Sequence, residues 1–422
     1  MNQILGKSFS SILVALLRRV PLIPGIPILI MMTLVHFFEG KIRIAWISTS
    51  RIGHFVDDVC MSLAAINQHD YPYKTYFCKK PWEPVSNDFW LKIFERNVNV
   101  KNWLWVVVWA SEILKPYTPP WLIRPPRMTR GSRNLDGNTK APEFLEYENQ
   151  MAKEWLMSRG WTEGEPIVCL MVRDSKYLDA TFSARPGRLR RTSFDYHSYR
   201  DSAIEDYIKA AEWLAEKGFW VLRMGKVADR PLRSKSTRVI DYANAADRSD
   251  LLDVWLFASC ALCITTGTGP DAIARNYGRP ILSVNFLPLV MQHTWSDDII
   301  APKSLFWQGG ERLSLLQHIE ASYTRTEQYA EAGIEIRDLT DGQILRVVKE
   351  AWAQKGDTPM EVAGENVANE FYFALLKEFS SGKPGSLPLH SYRHPKARLS
   401  FEWLKDLEHD FRFLDRDWLH SK

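Results

Sequence analysis

The sequence predicts an α/β fold with two successive domains, each built on a parallel sheet. Three observations predict it. From residue 166 onward, short apolar runs alternate with stretches of helical spacing, as in a parallel sheet covered by helices on both faces. A similar alternation occupies residues 41 to 109. At 422 residues, the chain is also long enough for two or three domains that each bury a core.

The composition is that of a globular protein, with 45% hydrophobic and 25% charged residues. The net charge of +4 hides an asymmetry, because the chain up to residue 140 carries 18 Lys and Arg against 9 Asp and Glu. A basic amino-terminal half suits an anionic surface or acceptor. Dense Lys/Arg clusters are missing from the sequence, so we expect no nucleic-acid partner. The 17 tryptophans suit sugar binding, although core packing is their more ordinary use.

Residues 1–40 are predicted to be an apolar membrane-associating segment. The stretch from Val20 to Phe38 has no charged residue and is near the minimum length of a membrane span. Three prolines are expected to break helix hydrogen bonding in its first half: Pro21, Pro24 and Pro27. The pair Arg18-Arg19 would be unfavourable inside lipid. We therefore expect a segment that lies on the inner membrane surface, with a true span and a helix pair packed on the protein as alternatives.

Residues 41–150 are predicted to form the first α/β domain. Expected strands are Lys41–Ser48, Tyr73–Cys78 and Trp103–Trp109. A helix is expected from Phe55 to Ile66, loop and linker in 116–127 and 131–140, and a further helix from Glu143 to Arg159.

Residues 151–350 are predicted to form the second α/β domain, followed by a largely helical tail over 351–422. Expected strands are Ile167–Val172, Phe219–Met224, Val239–Tyr242, Ala261–Thr265 and Pro280–Asn285. Expected helices are Ala203–Lys217, Asp250–Ser259 and Asp271–Tyr277. Right-handed crossovers place the loops that follow the strands along one edge, where ligands bind.

Five cysteines are present: Cys60, Cys78, Cys169, Cys260 and Cys263. The last two have CxxC spacing, but no second pair or histidine cluster completes a metal site. Their apolar flanks predict buried residues of structural importance, and nothing in the spacing indicates disulfides.

The strongest motif is a glycine-rich turn between a buried strand and a helix: Thr265, Thr266, Gly267, Thr268, Gly269, Pro270 and Asp271. The glycines allow a sharp turn and close approach of a ligand to the backbone. Pro270 suits a first helical turn. Free amides at the helix start favour a phosphate. The alternative is a plain tight turn, and a dinucleotide fingerprint is disfavoured because no matching acidic strand end follows.

Gly267-Thr268-Gly269-Pro270, followed by Gly278-Arg279-Pro280-Ile281, resembles the donor-site turn of heptosyltransferase-like enzymes with the GT-B fold. Four further motifs are similar to those of bacterial surface-polysaccharide glycosyltransferases: Arg51–His54, Val172–Ser175 with Tyr177, Tyr199–Asp201 and Arg223–Lys226. The resemblance spans residues 41–305. It implies a GT-B-like chain of two Rossmann-type parallel-sheet domains that binds a nucleotide-sugar. The chain departs from the heptosyltransferase pattern where Gly267-Thr268 replaces an acid.

Basic residues end two strands of the second domain. Arg173 and Asp174 follow the strand that ends at Val172, and an arginine there can pair with a diphosphate. An ion pair with Asp174 is the alternative. Arg223, Gly225 and Lys226 end the next strand and are expected to supply a second cationic contact, with a solvated strand end as the alternative.

The polar segment 185–201 is long for a loop in a compact domain, and such loops are more often functional than idle. It carries Arg185, Arg188, Arg190, Arg191, Tyr196, His197, Tyr199 and Arg200. We expect it to close over the sugar-phosphate, with Tyr199 and Arg200 at the donor. A disordered surface loop is the alternative.

Arg51, Gly53 and His54 end the first strand and are expected to face the acceptor. Transfer to a hydroxyl needs a general base, and His54 is one candidate, with Asp57 and Asp58 as competitors. A helix cap is the alternative reading of His54. No DxD motif follows a strand, so we expect no metal ion and no cofactor beside the donor.

These features predict a metal-independent glycosyltransferase that moves a hexosyl or related sugar from a nucleotide-sugar to a glycan or lipid-linked acceptor. The expected setting is cell-surface polysaccharide synthesis at the cytoplasmic face of the bacterial inner membrane. One rival is a nucleotide-sugar 2-epimerase, against which the apolar first 40 residues count. The other is a non-catalytic polysaccharide-assembly protein that keeps the fold without the chemistry.

Overall fold

The computed structural model describes residues 22–39, 42–67, 74–113, 122–123, 141–174, 195–226, 230–293, 296–353, 369, 372 and 397–407. The described residues up to 142 form one compact unit, and those from Glu143 onward form a second.

The first unit is built on a three-stranded parallel sheet with the order β2-β1-β3. Its strands are β1 (Ile42–Trp46), β2 (Lys74–Cys78) and β3 (Leu122–Ile123). Its helices are α1 (Leu22–Glu39), α2 (Ile52–Asn67), α3 (Asp88–Asn97) and α4 (Trp105–Ile113). Trp46 pairs with Cys78, so the segments that follow β1 and β2 leave the sheet at the same edge.

The strand expected at Trp103–Trp109 is wrong. A 3₁₀ turn, Asn102–Leu104, leads there into α4. A continuous apolar run fits a buried strand and a buried helix equally well, because both hide all their side chains. Here the helix buries Val107 and Val108 against α1 and β1. The loop expected over 116–127 contains β3, and its other residues lie outside the described ones.

Helix α1 corrects the expectation that prolines break this segment. Pro24 lies in the first turn, where backbone amides have no partner within the helix, and Pro27 is accommodated inside it. Gly25 faces α4, and a Cβ on it would lie 2.7 Å from the carbonyl oxygen of Val106 and 3.0 Å from Ala110 Cβ. The two helices therefore approach closely. None of the helices among the described residues combines the length and apolarity needed to cross a membrane.

The second unit contains a seven-stranded parallel sheet with the order β12-β9-β8-β7-β4-β5-β6. Its strands are β4 (Ile167–Met171), β5 (Trp220–Arg223), β6 (Val239–Ile240), β7 (Leu262–Thr265), β8 (Ile281–Phe286), β9 (Asp298–Pro302) and β12 (Arg398–Leu399). The strands β10 (Ser304–Trp307) and β11 (Ile334–Arg337) form a separate antiparallel pair.

Eight helices of the described part of this unit accompany the sheet. They are α5 (Glu146–Met157), α6 (Ile208–Glu216), α7 (Asp250–Ser259), α8 (Asp271–Asn276), α9 (Leu315–Glu320), α10 (Thr326–Glu331), α11 (Asp341–Ala353) and α12 (Phe401–Lys405). Of these, α6, α9, α11 and α12 bury a common core against the sheet. The predicted alternation from β4 to β8 is confirmed, and the mixed α/β chain with its large parallel sheet fits a GT-B-like fold.

Two expectations for the second unit fall partly outside the described residues. Of the tail, 397–407 contribute β12 as well as a helix, so this part is not purely helical as expected. Of the polar loop, 175–194 lie outside the described residues, and with them Ser175, Tyr177 and the arginines at 185, 188, 190 and 191. The remainder is a 3₁₀ turn, Asp195–Arg200.

Candidate functional site

The glycine-rich turn joins the end of β7 to the start of α8, at the carboxyl edge of the large sheet. Its conformation is held by Thr265, whose Oγ1 accepts the amides of Gly267 at 3.1 Å and of Thr268 at 3.4 Å. A buried hydroxyl thus uses these two amides, and the phosphate contact expected at the amides of the helix start stays a prediction. Helix α8 has only six residues, so its dipole is small. Gly269 is exposed on the outer side of the turn.

Gly267 serves packing as well as turning. Its φ is +77°, and a Cβ there would lie 2.5 Å from two carbons of the Phe286 ring. The ring belongs to the end of β8, the neighbour of β7 in the sheet. Glycine at 267 thus lets the turn lie directly on the adjacent strand.

Asp271 is buried and forms an ion pair inside the protein instead of facing a ligand. Its carboxylate lies 3.2 Å from Arg275 of the same helix, and the Arg275 guanidinium reaches Asp298 of β9 at 3.0 Å. All three side chains are at most 7% exposed. Asp271 thus fixes α8 to the sheet through Arg275, and its expected donor contact stays a prediction.

Two arginines converge on the turn. The amide of Arg173, just after β4, donates to Thr266 Oγ1 at 3.0 Å, which places the residue beside the turn as the strand order requires. Arg200 donates from Nη2 to the carbonyl oxygen of Gly267. Both arginines therefore lie at the carboxyl edge, Arg173 through its backbone and Arg200 through its guanidinium group.

The side chain of Arg173 is oriented by Asp201. Its Nε lies 3.1 Å from Asp201 Oδ1, and the pair is partly buried. Burial raises the pKa of the Asp201 carboxyl, while the charges of Arg173 and Lys303 oppose this rise. A carboxylate on Nε holds the guanidinium in one orientation, with its terminal nitrogens directed away from the anchoring bond.

Lys303 is a nearly fully buried cation, only 3% exposed, that closes this cluster. Its Nζ donates to the carbonyl oxygen of Asp201 at 2.5 Å and lies 2.7 Å from Asp338 Oδ1. Ser202 donates to the other oxygen of Asp338 and accepts from Asn285 at 2.9 Å. Asn285 has a φ of 55°, an unusual conformation for a residue with a side chain. The segment 200–202 is thus tied to β8, to the segment after β9 and to the start of α11.

Arg223, the expected second cationic contact, is engaged inside the protein. It is 2% exposed and donates to the carbonyl oxygen of Arg230. Its Nη1 lies 3.5 Å from Asp241 and its Nη2 lies 3.9 Å from Asp174. Asp174 therefore pairs with Arg223, whereas Arg173 pairs with Asp201.

The remaining expected donor residues have identifiable structural contacts. Tyr199 is 5% exposed, and its ring lies 5.4 Å from Tyr329 within an apolar cluster, so its expected donor contact stays a prediction that its burial does not favour. Gly225 has a φ of +154° and approaches Ala243. Lys226 is half-exposed and lies 3.6 Å from Asp250.

The expected acceptor residues lie in the first unit, where β1 leads into α2. Arg51 and His54 are exposed, and Asp57 is partly buried one turn further on. The turn is held by Glu83, which accepts from Ser48 Oγ and, at 3.2 Å, from the amide of Ser50. Gly53 lies in the first turn of α2. Arg51 and His54 thus expose a guanidinium and an imidazole group at the start of the 16-residue helix α2.

All five cysteines are buried, as the apolar flanks of Cys260 and Cys263 predict for those two. Burial raises the pKa of Cys78 to about 12, and the pKa of Cys169 is also raised by burial. Among the described residues, no group of three or more His, Cys, Asp or Glu side chains could hold a metal ion.

Sequence reasoning did not assign Asp201, Lys303 or Glu83 to the site. Asp201 stands in a motif that we noted, so its proximity to Arg200 was a usable signal. Lys303 follows a strand that the alternation did not reveal. Glu83 is positioned by contacts with β1 that its own surroundings in the sequence do not indicate.

The fold and this edge define an α/β protein with a polar, arginine-bearing turn at the carboxyl end of a parallel sheet. No family model and no curated protein matches the chain. Several solved structures are similar in chain path. A glycosyl transferase family 9 structure from Veillonella parvula is 12% identical, covers 74% of this chain and 97% of that chain, and has a TM-score of 0.47.

Two further solved structures are similar. ADP-heptose LPS heptosyltransferase II of E. coli is 12% identical, with 74% of this chain and 99% of that chain covered and a TM-score of 0.38. A UDP-N-acetylglucosamine 2-epimerase is 12% identical, with 76% and 98% covered and a TM-score of 0.32. At these identities and TM-scores, the likeness assigns no activity to this chain.

Proposed function

We propose that the protein is a glycosyltransferase that moves a sugar from a nucleotide-sugar to a glycan or lipid-linked acceptor in cell-surface polysaccharide synthesis. The observation that carries the proposal is the position of Arg173 and Arg200 at the turn on the carboxyl edge of the large sheet: the amide of Arg173 donates to the Thr266 hydroxyl, and the guanidinium of Arg200 donates to the Gly267 carbonyl oxygen. Ligands of parallel sheets bind at this edge. Two arginines beside the exposed Gly269 suit a diphosphate.

The donor contacts that we propose depend on which polar groups already make buried contacts inside the protein. Thr265, Asp271 and Arg223 are used inside the protein, so the diphosphate is held by Arg173, Arg200 and the exposed Gly269 segment. Asp201 keeps Arg173 in position. Two fixed cations offset the charge that grows on the leaving diphosphate as the bond to the sugar breaks.

In the transfer step, the acceptor hydroxyl oxygen forms a bond to the anomeric carbon, and the bond from that carbon to the diphosphate oxygen breaks. The nucleoside diphosphate leaves with the bonding electron pair. The hydroxyl proton passes to a general base, for which exposed His54, at the start of α2, is our candidate and Asp57 the competitor.

The test is nucleotide binding and turnover by the full chain. We expect thermal stabilisation by one or more members of a panel of nucleotide-sugars, because a ligand that binds only the folded state raises its stability. We also expect release of nucleoside diphosphate from the same donor when a glycan acceptor extract is added. A chain that no nucleotide-sugar or nucleoside diphosphate stabilises would refute the proposal.

The same assay separates the two rivals. A 2-epimerase would convert the sugar of the donor without any acceptor, and analysis of the recovered sugar would reveal it. A non-catalytic assembly protein would release no nucleoside diphosphate with any donor and acceptor.

We further propose that the protein works at the cytoplasmic face of the inner membrane and that α1 contacts the lipid surface. Gly25, Leu29 and Met32 pack α1 onto the protein, and its other face exposes large apolar side chains. These are Ile23, Ile30, Met31 and Leu34, each at least 54% exposed. Basic residues flank the helix in sequence at 18, 19, 41 and 43, which suits anionic lipid headgroups.

Vesicle flotation tests this surface. We expect the full chain to float with vesicles of phosphatidylglycerol and phosphatidylethanolamine, and the double variant Ile30→Ser with Leu34→Ser to remain mostly in the soluble fraction. Leu316→Ser, at a comparably exposed position of the second unit, is the matched control. Equal flotation of all three proteins would exclude α1 as the contact.

A further inference from the structure

The first unit carries a cavity that the proposed donor site does not use. It has a volume of about 280 Å³ and is lined by Lys79, Pro81, Asn102, Trp103 and Trp105. Ligand pockets in proteins are of the order of 300 Å³ and upward, so this one has room for a single sugar ring rather than for a nucleotide.

The cavity lies at the carboxyl edge of the small sheet. Lys79 directly follows β2, whose last residue, Cys78, pairs in parallel with Trp46 at the end of β1. The opposite wall is tied to the same strand, because Lys101 donates its amide to Phe77 at 2.7 Å and Asn102 Oδ1 accepts the amide of Lys79 at 3.4 Å. The cavity therefore opens at the same sheet edge as the segment that bears Arg51 and His54.

Exposed aromatic rings form much of its surface. Trp103 is 54% exposed, although a free indole of this size is normally buried or hydrogen-bonded. Trp105 is held in place by Trp82, whose ring centroid lies 5.1 Å away in an edge-on arrangement. The exposed Trp103 ring and the held Trp105 ring, beside an amide and an ammonium group, combine an apolar platform with hydrogen-bond donors and a positive charge.

The charge next to this platform is positive. Lys79 lines the cavity, and Lys101 is exposed beside Asn102. Lys80 is anchored over the Trp46 ring, with Nζ 4.2 Å from its centroid. The nearest acid in sequence, Glu83, is engaged by Ser48 and Ser50 in the turn after β1. An anionic ligand would therefore be favoured over a neutral one.

We infer that this cavity is an acceptor subsite that binds one sugar residue carrying a carboxylate or a phosphate. The pyranose ring stacks on the Trp103 indole, Asn102 hydrogen-bonds its hydroxyl groups, and Lys79 pairs with the anionic substituent. This inference rests on the proposed function, because it names the chemical class of the acceptor for the same transfer reaction.

The α4 helix connects this subsite to the exposed face of α1. Trp105 lines the cavity at the first residue of α4, while Val106 and Ala110 of the same helix lie against Gly25 of α1. An acceptor that carries a lipid could thus place its sugar in the cavity while its chain follows α1 into the membrane. A free glycan would use the cavity alone.

The test is ligand-observed saturation-transfer NMR on the full chain without nucleotide. The probes are galacturonate and glucose 6-phosphate, with glucose and inorganic phosphate as the neutral and sugar-free comparisons. We expect both anionic sugars to bind with millimolar Kd, and glucose and phosphate to bind about ten-fold more weakly.

Variants assign the binding to the cavity. Trp103→Ala should weaken both anionic sugars about ten-fold, and Trp103→Phe should retain most of the affinity, since it keeps an aromatic face. Lys79→Gln should remove the preference for anionic over neutral sugar. Lys92→Gln, on an exposed turn of α3, is the matched control and should change nothing. Thermal melting confirms that each variant folds.

Three outcomes would overturn the inference. The first is that inorganic phosphate binds as tightly as glucose 6-phosphate, which would show a plain cationic surface. The Trp103→Ala and Lys79→Gln variants could bind sugars normally but lose vesicle binding, which would make the surface a membrane contact. The third outcome is that none of the four probes binds the wild-type chain. Nucleotide binding, measured separately, shows whether the proposed donor site stands in each case.

Discussion

Gly267 lies against the ring of Phe286 so closely that a Cβ at position 267 would lie 2.5 Å from Cδ2 and Cε2 of that ring. The backbone of the donor turn therefore packs directly on the Phe286 side chain at the end of β8. The absence of a side chain at this position, as much as the flexibility of glycine, allows the turn to lie at the sheet edge where Arg173 and Arg200 reach it.

We predict that Gly267→Ala lowers the free energy of unfolding by more than backbone strain alone. The positive φ costs about 1–2 kcal/mol for a residue with a Cβ. Contact with Phe286 adds about 1–3 kcal/mol, as overpacking does elsewhere. Gly278→Ala is the matched control, because Gly278 has a φ of +67° and nothing within 4 Å of its Cβ position. Urea unfolding should place Gly267→Ala well below Gly278→Ala; equal losses would argue against the Phe286 contact.

Gly269 gives a different prediction, because it is exposed and does not adopt a positive φ. A valine there should be tolerated by the fold while its branched side chain blocks approach of a diphosphate to the backbone. We expect Gly269→Val to abolish nucleotide binding in calorimetry with a nearly unchanged Tm. Gly309→Val, at another exposed glycine of the same unit, should leave both unchanged. Wild-type affinity in Gly269→Val would remove the turn from the donor site.

Arg173→Lys should weaken nucleotide binding without unfolding the protein. Lysine keeps the positive charge but loses the forked donors, which we expect to raise the Kd for a nucleoside diphosphate about ten-fold, or about 1.4 kcal/mol. Arg346→Lys is the control, since that arginine belongs to a half-exposed ion pair with Asp406. Titration calorimetry at two salt concentrations measures both. An unchanged Kd for Arg173→Lys would exclude a direct contact.

Arg223→Met should have the opposite signature. Arg223 is buried between Asp174 and Asp241, and removal of one partner from a buried ion pair costs about 3–5 kcal/mol. We expect a large loss in the urea midpoint, with the nucleotide Kd of the remaining folded protein unchanged. If the variant is stable but has lost nucleotide affinity, Arg223 contacts the donor after all.

Two buried groups with opposite pKa shifts, His318 and Asp253, determine the pH dependence of stability that we predict. Burial lowers the pKa of His318 from 6.5 to about 4, so over this range the unfolded chain binds more protons and the free energy of unfolding falls as the pH is lowered. Burial raises the pKa of Asp253 from 3.8 to about 6, so over that range the folded state binds more protons and stability rises as the pH is lowered.

Because these slopes oppose each other in the wild-type chain, a variant must separate them. His318→Gln keeps a donor for the Lys303 carbonyl, which accepts from the ring at 2.9 Å, and cannot titrate. Its stability relative to wild type should improve between pH 6.5 and 4, by on the order of 2 kcal/mol at the lower end. A constant difference across this range in urea unfolding would show that His318 does not titrate as its burial requires.

The strands of the second unit could be predicted from the sequence because each is a short apolar run bounded by polar or glycine residues, as in Leu262–Thr265 before the turn. Helix α4 could not, since its apolar run has no period and its identity depends on packing against α1, far away in sequence. The glycine turn could be located, but not the use of its amides, because that depends on the rotamer of Thr265.

The directions of the arginine side chains could not be predicted from the sequence either. Arg173 and Arg223 both end strands of the same sheet, yet one remains at the edge and the other turns inward. The difference is set by Asp241 and the carbonyl of Arg230, which stand beside Arg223 only after the chain has folded. A position at a strand end predicts which edge of the sheet a residue occupies. The direction of its side chain depends on contacts with residues that are distant in the sequence.

The buried chain of charges from Asp271 through Arg275 to Asp298 joins the short helix after the turn to strand β9. Movement of that helix would separate ions in a region from which water is excluded. The turn is therefore a stationary wall of the proposed donor site. The segment around Arg200, which donates to the Gly267 carbonyl, is itself held by Lys303 and Asn285, so the site favours donors that fit it as it stands.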